Sequence, residues 1–378
     1  MAANTYSYSG KQFQVYMATD KVASDGVGTF FTGSNFSGGI EMDVEGITVP
    51  TWNPVQEFEM RSGQSRVAQF SDIFSSTKRV VTEFSLSGRL TVDIWQALLE
   101  NVTASSVDAD KILALAGNYN PANFGHGSEI ASNTSFEKTL SFYFQVPTQD
   151  DVTDYSQSFK LAGCVCTNFS VDADLDSAAG RFNYSATFQT AYAPAMGAQS
   201  VSSASAVGDN IYLSDLGYNF MSIMEKDAAG NDTADMEPIW KTYSLGVESP
   251  AAYLGMSTTG TPSVISRAVP ELTITVGGSI KYDKLSHTLV EAHLDKGEDS
   301  YITQYLSDVD KDAGTYAVAT GKVFNQSSAA KFGVHFRQAK LMSAEISSDD
   351  VAMVNFEGKV LQPSSGITIA LNTGTYSD

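Results

Sequence analysis

One stretch, EFSLSGRLTVDIWQALLENV at residues 83–102, changes its hydrophobic period halfway along and constrains the fold more than any other part of the chain. Apolar and polar residues alternate in its first part, which predicts a strand with one buried and one solvated face. From Trp95 to Val102 the apolar residues fall at i, i+3, i+4 and i+7, on one side of a helix. Asp93 suits the N-cap or first turn, where a carboxylate meets unpaired N–H groups. A strand that leads directly into a short helix is therefore predicted.

The same combination occurs a second time at residues 274–292, where Asp283 again precedes a helical stripe. At a constant offset of 190 residues, Gly88 aligns with Gly278 and Asp93 aligns with Asp283. Further matches follow in the same order: Phe13, Met17 and Asp20 with Phe220, Met224 and Asp227; Pro50 and Trp52 with Pro238 and Trp240; Leu140, Phe142 and Phe144 with Phe332, Val334 and Phe336; Phe182–Tyr184 with Val354–Phe356. Collinear matches over nearly the whole chain indicate an internal duplication, with a period far longer than that of a solenoid.

The duplication divides the chain into a first half at residues 1–197 and a second half at 211–378. The segment between them, 198–210, lacks aromatic residues and is rich in small ones, so a flexible linker is predicted. A chain of 378 residues is long enough for two domains with a core each. Because Ser, Thr, Gly and aromatic residues are prominent, both domains are predicted to be mainly β, with one short helix each.

Other alternating segments locate further strands. They are predicted at 12–19, 140–146, 163–172 with 181–190 as a hairpin, and 344–347 with 353–361. A last alternating segment, 367–371, has no obvious partner within its own half. The acidic insertion TQDDVTDYSQS at 148–158 occurs only in the first half.

A long polar segment, residues 41–81, shows no apolar periodicity and carries several charges. Connections of that length in compact domains are usually functional or serve as interaction arms. The residues predicted to contact a neighbouring subunit or ring are Glu57, Glu59, Arg61 and Arg66.

Charge and composition exclude several classes of function. A formal net charge of −20 disfavours a nucleic-acid grip, which needs clustered Lys and Arg, and also disfavours an anionic membrane surface. The start of the sequence has neither the basic nor the apolar region of a signal peptide, and no apolar run approaches the roughly 20 residues of a membrane helix. Cys164 and Cys166 lie two apart on a predicted strand, too far for an ordinary disulfide, which favours synthesis in a reducing cytoplasm.

The sequence contains no recognisable catalytic motif. The four histidines, at positions 126, 287, 293 and 335, lack the spacing of a HExxH metal pair, and neither a G-x-S-x-G elbow nor a P-loop is present. Asp172, Asp174 and Asp176 are spaced like calcium ligands, but Ser177 and Asn183 occupy the positions where an EF-hand needs Gly and Glu. A hairpin turn explains these aspartates better, and the run Asp308, Asp310, Asp312 fails the same test. No metal, cofactor or enzymatic activity is expected.

The predicted strands share an unusual polar face. Its members are Ser85, Ser87, Arg89, Thr91, Asn183, Ser185, Thr187, Asn355, Glu357 and Lys359. They are small, hydrophilic and seldom basic. Taken alone, they are what the solvent face of an antiparallel sheet would carry.

The order of elements resembles the tail tube (major tail) proteins of long-tailed bacteriophages. The resemblance rests on the N-terminal strand, the arm-like loop with Pro-x-Trp at 50–52, the strand and helix at 85–102, and the strand–turn–strand at 167–190. It implies domains of two packed antiparallel β-sheets flanked by a helix. In the family, six such domains form a ring, their inner sheets join into a β-barrel between subunits, and rings stack into the conduit for genome ejection. Members with two domains per chain form trimers, and the duplication here resembles that variant.

The resemblance implies a structural virion protein of the phage tail, not an enzyme. Its partners would be copies of itself, the tape measure protein, and tail terminator or tip proteins. The polar residues named above would face the lumen, where viral DNA passes without specific binding because acidic and hydroxyl groups do not hold phosphates. The alternatives are a β-sandwich adhesin or other virion surface (decoration) protein, and a carbohydrase with paired carboxylates, for which no local signature exists.

Overall fold

The structure of the chain, a computed structural model, describes twenty-four segments. They are residues 13–19, 35–37, 39–48, 55–58, 73–76, 82–103, 112–116, 139–148, 151, 153–190, 194–202, 204–216, 218–224, 235–236, 238–250, 252–253, 265–266, 272–296, 301–307, 316–318, 321–324, 332–348, 351–361 and 367–372.

Within these segments the chain is mainly antiparallel β-structure with two helices, as the sequence predicts. The first half contains β1 (Gln14–Thr19), β2 (Asn35–Ser37), β3 (Ile40–Met42), β4 (Gly46–Thr48), β5 (Val55–Phe58), β6 (Ile73–Ser76), β7 (Thr82–Arg89), α1 (Val92–Val102), β8 (Ile112–Ala116), β9 (Leu140–Gln145), β10 (Phe159–Asp174), β11 (Phe182–Thr190) and β12 (Ala195–Met196). The strand β13 (Ser200–Ser202) follows in the predicted linker. The second half contains β14 (Tyr218–Met224), β15 (Asp235–Met236), β16 (Trp240–Glu248), β17 (Ala252–Tyr253), β18 (Ile265–Ser266), β19 (Thr273–Lys281), α2 (Lys284–Lys296), β20 (Tyr301–Ser307), β21 (Tyr316–Val318), β22 (Gly321–Phe324), β23 (Gly333–Ser347), β24 (Met353–Val360) and β25 (Ile367–Asn372).

One antiparallel sheet, here called the shared sheet, runs through both halves in the order β4-β7-β11-β10-β16-β19-β24-β23. The pairing of β10 with β16 joins the halves over seven residue pairs, from Asn168 opposite Glu248 to Asp174 opposite Thr242. The pairings form an open row. Among the described residues, β4 at one end and positions 341–347 of β23 at the other end each have a strand partner on one side only.

The long strands β10 and β23 leave the shared sheet and enter two outer sheets. In the first half the order is β3-β1-β9-β10-β12, and in the second it is β15-β14-β20-β23-β25-β8. The strand β25, which had no predicted partner in its own half, pairs there with β23 and, on its other side, with β8 from the first half. The chain therefore crosses between the halves twice in its sheets.

The two halves share one hydrophobic core. Phe332 of the second half lies between two aromatic residues of the first, with its ring centroid 4.7 Å from that of Trp95 and 4.6 Å from that of Phe182. Phe84 on the shared sheet packs at 5.3 Å against Phe142 of the outer sheet. Trp95 is fully buried, as predicted, and its aromatic neighbours are Phe332 and Phe169.

Both helices begin at a side-chain cap. The Thr91 hydroxyl accepts a hydrogen bond from the Ile94 N–H at 3.4 Å, and Asp93 lies in the first turn of α1. At α2, the Asp283 carboxylate accepts from the N–H groups of Leu285 and Ser286, each at 2.9 Å. Each cap satisfies N–H groups that have no partner within the helix.

The segment predicted as a flexible linker is bound along the first half. Its strand β13 pairs with β2, the Ser205 N–H donates to the Gly39 carbonyl at 2.9 Å, and the Gln199 N–H donates to the Tyr143 hydroxyl at 3.0 Å. The prediction of a free linker is wrong because its backbone groups find partners in the first half, which composition cannot show.

The strand pairs β7/β11 and β19/β24 have the same register. Tyr184 lies opposite Gly88 and Phe356 lies opposite Gly278, as the sequence matches require. A Cβ atom at either glycine would collide with a neighbouring backbone carbonyl, that of Asp43 or of Thr242. Residues that hold the same position in these pairings are called equivalent below.

Two of the proposed sequence matches are not equivalent positions. Gly46 lies opposite Ser87 and Ser244 lies opposite Gly277, so β4 and β16 correspond at an offset of 198 residues. The proposed match of Pro50 and Trp52 with Pro238 and Trp240 needs an offset of 188 residues. Pro50 and Trp52 lie outside the described residues. The match of β9 with the start of β23 is also wrong, because β9 lies between β1 and β10 just as β20 lies between β14 and β23.

The predicted arm is shorter than residues 41–81, because its first part forms β3 and β4. Further along, β5 and β6 form a separate two-stranded ribbon in which Glu57 lies opposite Phe74. Glu59, Arg61 and Arg66 lie outside the described residues. In the part of the chain that the structure describes, neither helix is long and apolar enough to cross a membrane.

Candidate functional site

The exposed face of the shared sheet, here called the polar face, is the largest continuous arrangement of predicted site residues. Burial alternates along its strands, so that on β7 the apolar Phe84 and Leu86 are buried while Ser85 and Ser87 reach the surface. The same alternation holds on β11 from Phe182 to Thr190. Nine of the ten predicted residues lie on this face.

The tenth, Thr91, does not. It is fully buried, and its hydroxyl caps α1 instead of facing solvent. Period-two alternation was extended past the end of β7 at Arg89, but the backbone turns into the helix there. The prediction of Thr91 as a lumen-facing residue is therefore wrong.

The register aligns polar side chains in rows that cross both halves. One row contains Ser87, Ser185, Ser170, Gly246, Thr275 and Lys359. The next contains Arg89, Asn183, Asp172, Ser244, Gly277 and Glu357. The strands are thus covered by hydroxyl, amide, carboxylate and glycine groups with one basic residue in each row, Lys359 and Arg89, and neither row contains an apolar residue.

Hydrogen bonds link neighbouring strands across the polar face. The Ser85 and Thr187 hydroxyl oxygens lie 3.0 Å apart, and those of Thr242 and Ser279 lie 2.7 Å apart. The Gln189 amide donates to the Glu83 carboxylate at 2.8 Å. These short polar side chains are therefore tied down and leave a low, hydrophilic surface.

Carboxylates outnumber basic groups on this face. The acidic members are Glu83, Asp172, Asp174, Glu248, Glu345 and Glu357, and the basic ones are Arg89, Lys281, Lys340 and Lys359. Arg89 is neutralised locally, because its Nε donates to Glu45 at 2.9 Å and a terminal nitrogen lies 3.7 Å from Asp43. A polyanion would meet few free positive charges here.

Asp172 occupies the centre of the polar face. Desolvation between the flanking strands raises the pKa of its carboxyl, although the side chain as a whole is exposed, and a hydrogen bond from Asn183 acts in the opposite direction. The direction of the shift means that the protein environment disfavours the charged form.

The sequence reasoning missed the strand at the middle of the site. The residues of β16 alternate as clearly as those of β7, with Tyr243, Leu245 and Val247 buried and Ser244 and Glu248 exposed. The alternation was visible in the sequence, but its junction with β10 was not. Residues of β10 and β16, including Ser170 and Thr242, therefore join the site only in the structure.

The other candidate residues do not form a chemical site. Asp174 accepts from the Asp176 N–H at 2.9 Å, and Asp176 pairs with Lys241 at 2.8 Å, so these aspartates belong to the predicted hairpin turn. Cys164 and Cys166 are buried in β10 and are not joined in a disulfide. Among the described residues, no three His, Cys, Asp or Glu side chains are grouped as metal ligands. Asp308, Asp310, Asp312 and His126 lie outside the described residues.

His287 lies on α2 and makes local contacts. Its Nδ1 is 3.0 Å from the Tyr282 hydroxyl and its Nε2 is 3.2 Å from Glu291 one turn further on. Such i,i+4 pairs stabilise a helix surface.

A second concave region lies on the outer sheet of the first half, where the 198–210 segment crosses it. This cleft of about 630 Å³ is lined by Gln14, Tyr16, Glu41, Gln145, Tyr155, Gln199, Val201, Ala204, Ser205 and Ala206. Burial raises the pKa of Tyr16, with further contributions from Glu41 and the neighbouring tyrosines. Its groups are hydrogen-bonding and aromatic, without a nucleophile paired to a base.

In comparisons with known proteins, no family model matches this chain and no curated protein matches it.

Proposed function

We propose that this chain is the subunit of a phage tail tube, a structural protein that forms stacked rings around a channel for DNA. The observation that carries the proposal is the shared sheet, whose polar face crosses both halves and whose two end strands each have an edge without a strand partner among the described residues. Open sheet edges are liabilities that proteins cover or close. Closing this sheet with further copies of itself would remove both edges and turn the polar face toward a lumen.

The proposed ring contains three chains. Each half contributes four strands to the shared sheet, in the same order along the row, which supports the duplication hypothesis and a ring of six similar domains. With a strand spacing of about 4.8 Å and a tilt of about 40°, three such sheets would close at a diameter on the order of 45 Å between backbones. That is wider than the barrels that already leave an aqueous channel.

The chemistry of the polar face suits a conduit. DNA-binding surfaces hold phosphates with Lys and Arg. A face of hydroxyls and amides with an excess of carboxylates would instead repel the backbone weakly and let the polymer slide. The chain would therefore act without catalysis, and its partners would be its own copies and the other components of the tail.

The β5–β6 ribbon is the proposed contact with a neighbouring ring or subunit. Because its two strands pair only with each other among the described residues, its removal is expected to spare the shared sheet. Deleting residues 57–70 should leave a folded protein that no longer forms tubes. Normal tubes from this variant would exclude the ribbon as a contact.

Electron microscopy of the concentrated protein tests the function. Hollow rods are expected, with threefold symmetry in a reconstruction made without imposed symmetry and an inner wall close to sixfold. Six whole chains per ring would mean that one half of each chain decorates the tube, and the duplicated-tube proposal would fail. A protein that stays monomeric at high concentration would favour the alternative, a β-sandwich adhesin or other surface protein.

A further inference from the structure

We infer that the open end of β23, with the exposed apolar residues beside it, binds the β4 edge of another copy of this chain. The register would be the one that β10 and β16 use within the chain. The inference rests on the proposed function for its assumption of self-association, but it specifies which residues meet. The partner is thus a second copy of the chain, and the contact runs head to tail from the second half of one copy to the first half of the next.

Exposed apolar side chains in the second half mark the surface. Leu285 in the first turn of α2 is 51% exposed. Ile346 on β23 is 46% exposed, whereas Ala173 on β10 is 2% exposed. Ala173 and Ile346 are equivalent because they lie opposite the matched residues Phe182 and Val354.

The second half covers the corresponding position in the first half, where Ala173 lies opposite Tyr243 of β16. Among the described residues, nothing covers Ile346 in the same way. The apolar surface of the second half is therefore an unfilled copy of the internal junction, and its natural cover is the corresponding part of another first half.

The sheet edges differ between the halves in the same sense. In β10, residues 168–173 have partners on both sides, namely β11 and β16. In the part of the chain that the structure describes, the equivalent part of β23 has β24 alone. At the other end, β16 lies between β10 and β19, but its equivalent β4 pairs with β7 alone among the same residues. Each chain thus presents one edge of each kind, which is the requirement for a closed heterologous ring.

The internal junction specifies the residue pairs of the external one. Within the chain, Ser170 lies opposite Gly246. Ser343 lies opposite Glu357 on β24, and Ser170 lies opposite Ser185 on β11. Because Glu357 and Ser185 hold the same position in the pairs β19/β24 and β7/β11, Ser343 and Ser170 are equivalent. Thr48 lies opposite Ser85 on β7, and Gly246 lies opposite Thr275 on β19. Because Ser85 and Thr275 are equivalent, Thr48 and Gly246 are equivalent as well.

Ser343 of one copy is therefore expected to lie opposite Thr48 of the next copy. By the same rule Ala344 would lie opposite Ile47. Both Ala344 and Ile47 point toward the core side of the sheet, where Ala344 is 6% exposed and Ile47 packs against the core. The apolar face would then continue across the contact as it does across β10 and β16.

Disulfide trapping of the full-length chain tests the register. The matched variant carries Ser343→Cys with Thr48→Cys, and the control carries Glu345→Cys with Thr48→Cys, which shifts the pair by two residues along the same strand. Cys164 and Cys166 are buried and are common to both variants. Under mild oxidation the matched pair should form covalent oligomers that end at three chains, at least about tenfold faster than the control, whose Cβ atoms would be roughly 7 Å out of register. Equal rates, or no intermolecular disulfide in either variant, would overturn the inference.

The apolar patch is tested by Leu285→Glu and Ile346→Glu, with Leu294→Glu as the control. Leu294 lies near the other end of α2 and is 74% exposed. Since all three side chains are already exposed, melting temperatures of the isolated chain should change little. The first two variants should need at least about tenfold more protein to form oligomers, and the control should form them at the original concentration. A control variant whose oligomers are weakened as much would refute the role of the patch.

The outcomes separate this inference from the proposed function. If tubes form but the matched disulfide does not, the proposed tube function is supported and the contact between β23 and β4 is excluded. Matched covalent trimers that never stack into tubes would support the surface and exclude the tube.

Discussion

The two helices occupy equivalent positions and differ sharply in burial. On α1, Ile94, Trp95, Leu98, Leu99 and Val102 are fully buried, and even the Glu100 side chain is largely covered. On α2, Leu289 and Val290 are buried, whereas Leu285 and Leu294 are exposed. The difference arises because the second half packs over the first, while among the described residues the second half has no such cover. Similar sequences therefore meet different environments because of their place in the chain.

The largest effect is expected where this difference is greatest. Trp95→Ala should lower the free energy of unfolding by about 3–5 kcal/mol, the range for a fully buried aromatic residue. Leu285→Ala, at an exposed apolar position in the first turn of α2, should cost less than about 1 kcal/mol in the isolated chain. Denaturant unfolding of the two variants at low protein concentration measures both values. Similar losses would mean that the two helices are equally packed.

The matched glycines should behave alike despite the different environments of the halves. Gly88→Ala and Gly278→Ala each place a methyl group against a backbone carbonyl, so each should cost about 1–3 kcal/mol. Ser87→Ala, next to Gly88 on the exposed face, is the control and should cost less than about 0.5 kcal/mol. Thermal and denaturant unfolding provide the comparison. A neutral Gly278→Ala beside a costly Gly88→Ala would show that the two strand junctions differ.

Charge on the polar face should act equally in both halves. Ser185→Lys and Asn355→Lys each add an exposed cation to a face with a carboxylate excess, and each should create a phosphate contact along the channel. Assembly should survive, while DNA ejection should slow, more so at low salt because screening is weaker. Ser156→Lys, on an exposed turn outside the shared sheet, is the control. An ejection rate that is unchanged at low salt would exclude a luminal position.

The smallest effects concern two aspartates whose pKa values shift in opposite directions. Hydrogen bonds from Ser286 and Leu285 lower the pKa of Asp283, so its contribution to stability is present above the ordinary value of 3.8 and is lost as pH falls through the lowered value. Desolvation raises the pKa of Asp172, so its ionisation disfavours the fold as pH rises above 3.8.

Near neutral pH, Asp283→Asn should therefore lower the melting temperature slightly, and Asp172→Asn should raise it slightly. Melting curves between pH 3 and pH 7 give the comparison. Shifts of the same sign for the two variants would contradict the opposite environments assigned to them.

Local patterns in the sequence determined most of the elements. Alternation located β7, β9, β11 and β24, and the change of period located α1 and α2 within a few residues. The matched glycines followed from the duplication, and the shared register gives their physical reason, a close approach of the neighbouring strand. These features depend on contacts between near neighbours in the sequence, which a periodic pattern records directly.

The tertiary structure alone decided how those elements meet. Alternation states that β10 and β16 each have a buried face, but it does not state that they pair, nor that β8 crosses to β25. Composition made residues 198–210 resemble a free linker, although hydrogen bonds hold them on the first half. Thr91 continued the polar alternation and became a helix cap. Long-range pairing depends on which surfaces remain uncovered once every other strand is in place, so no local pattern contains it.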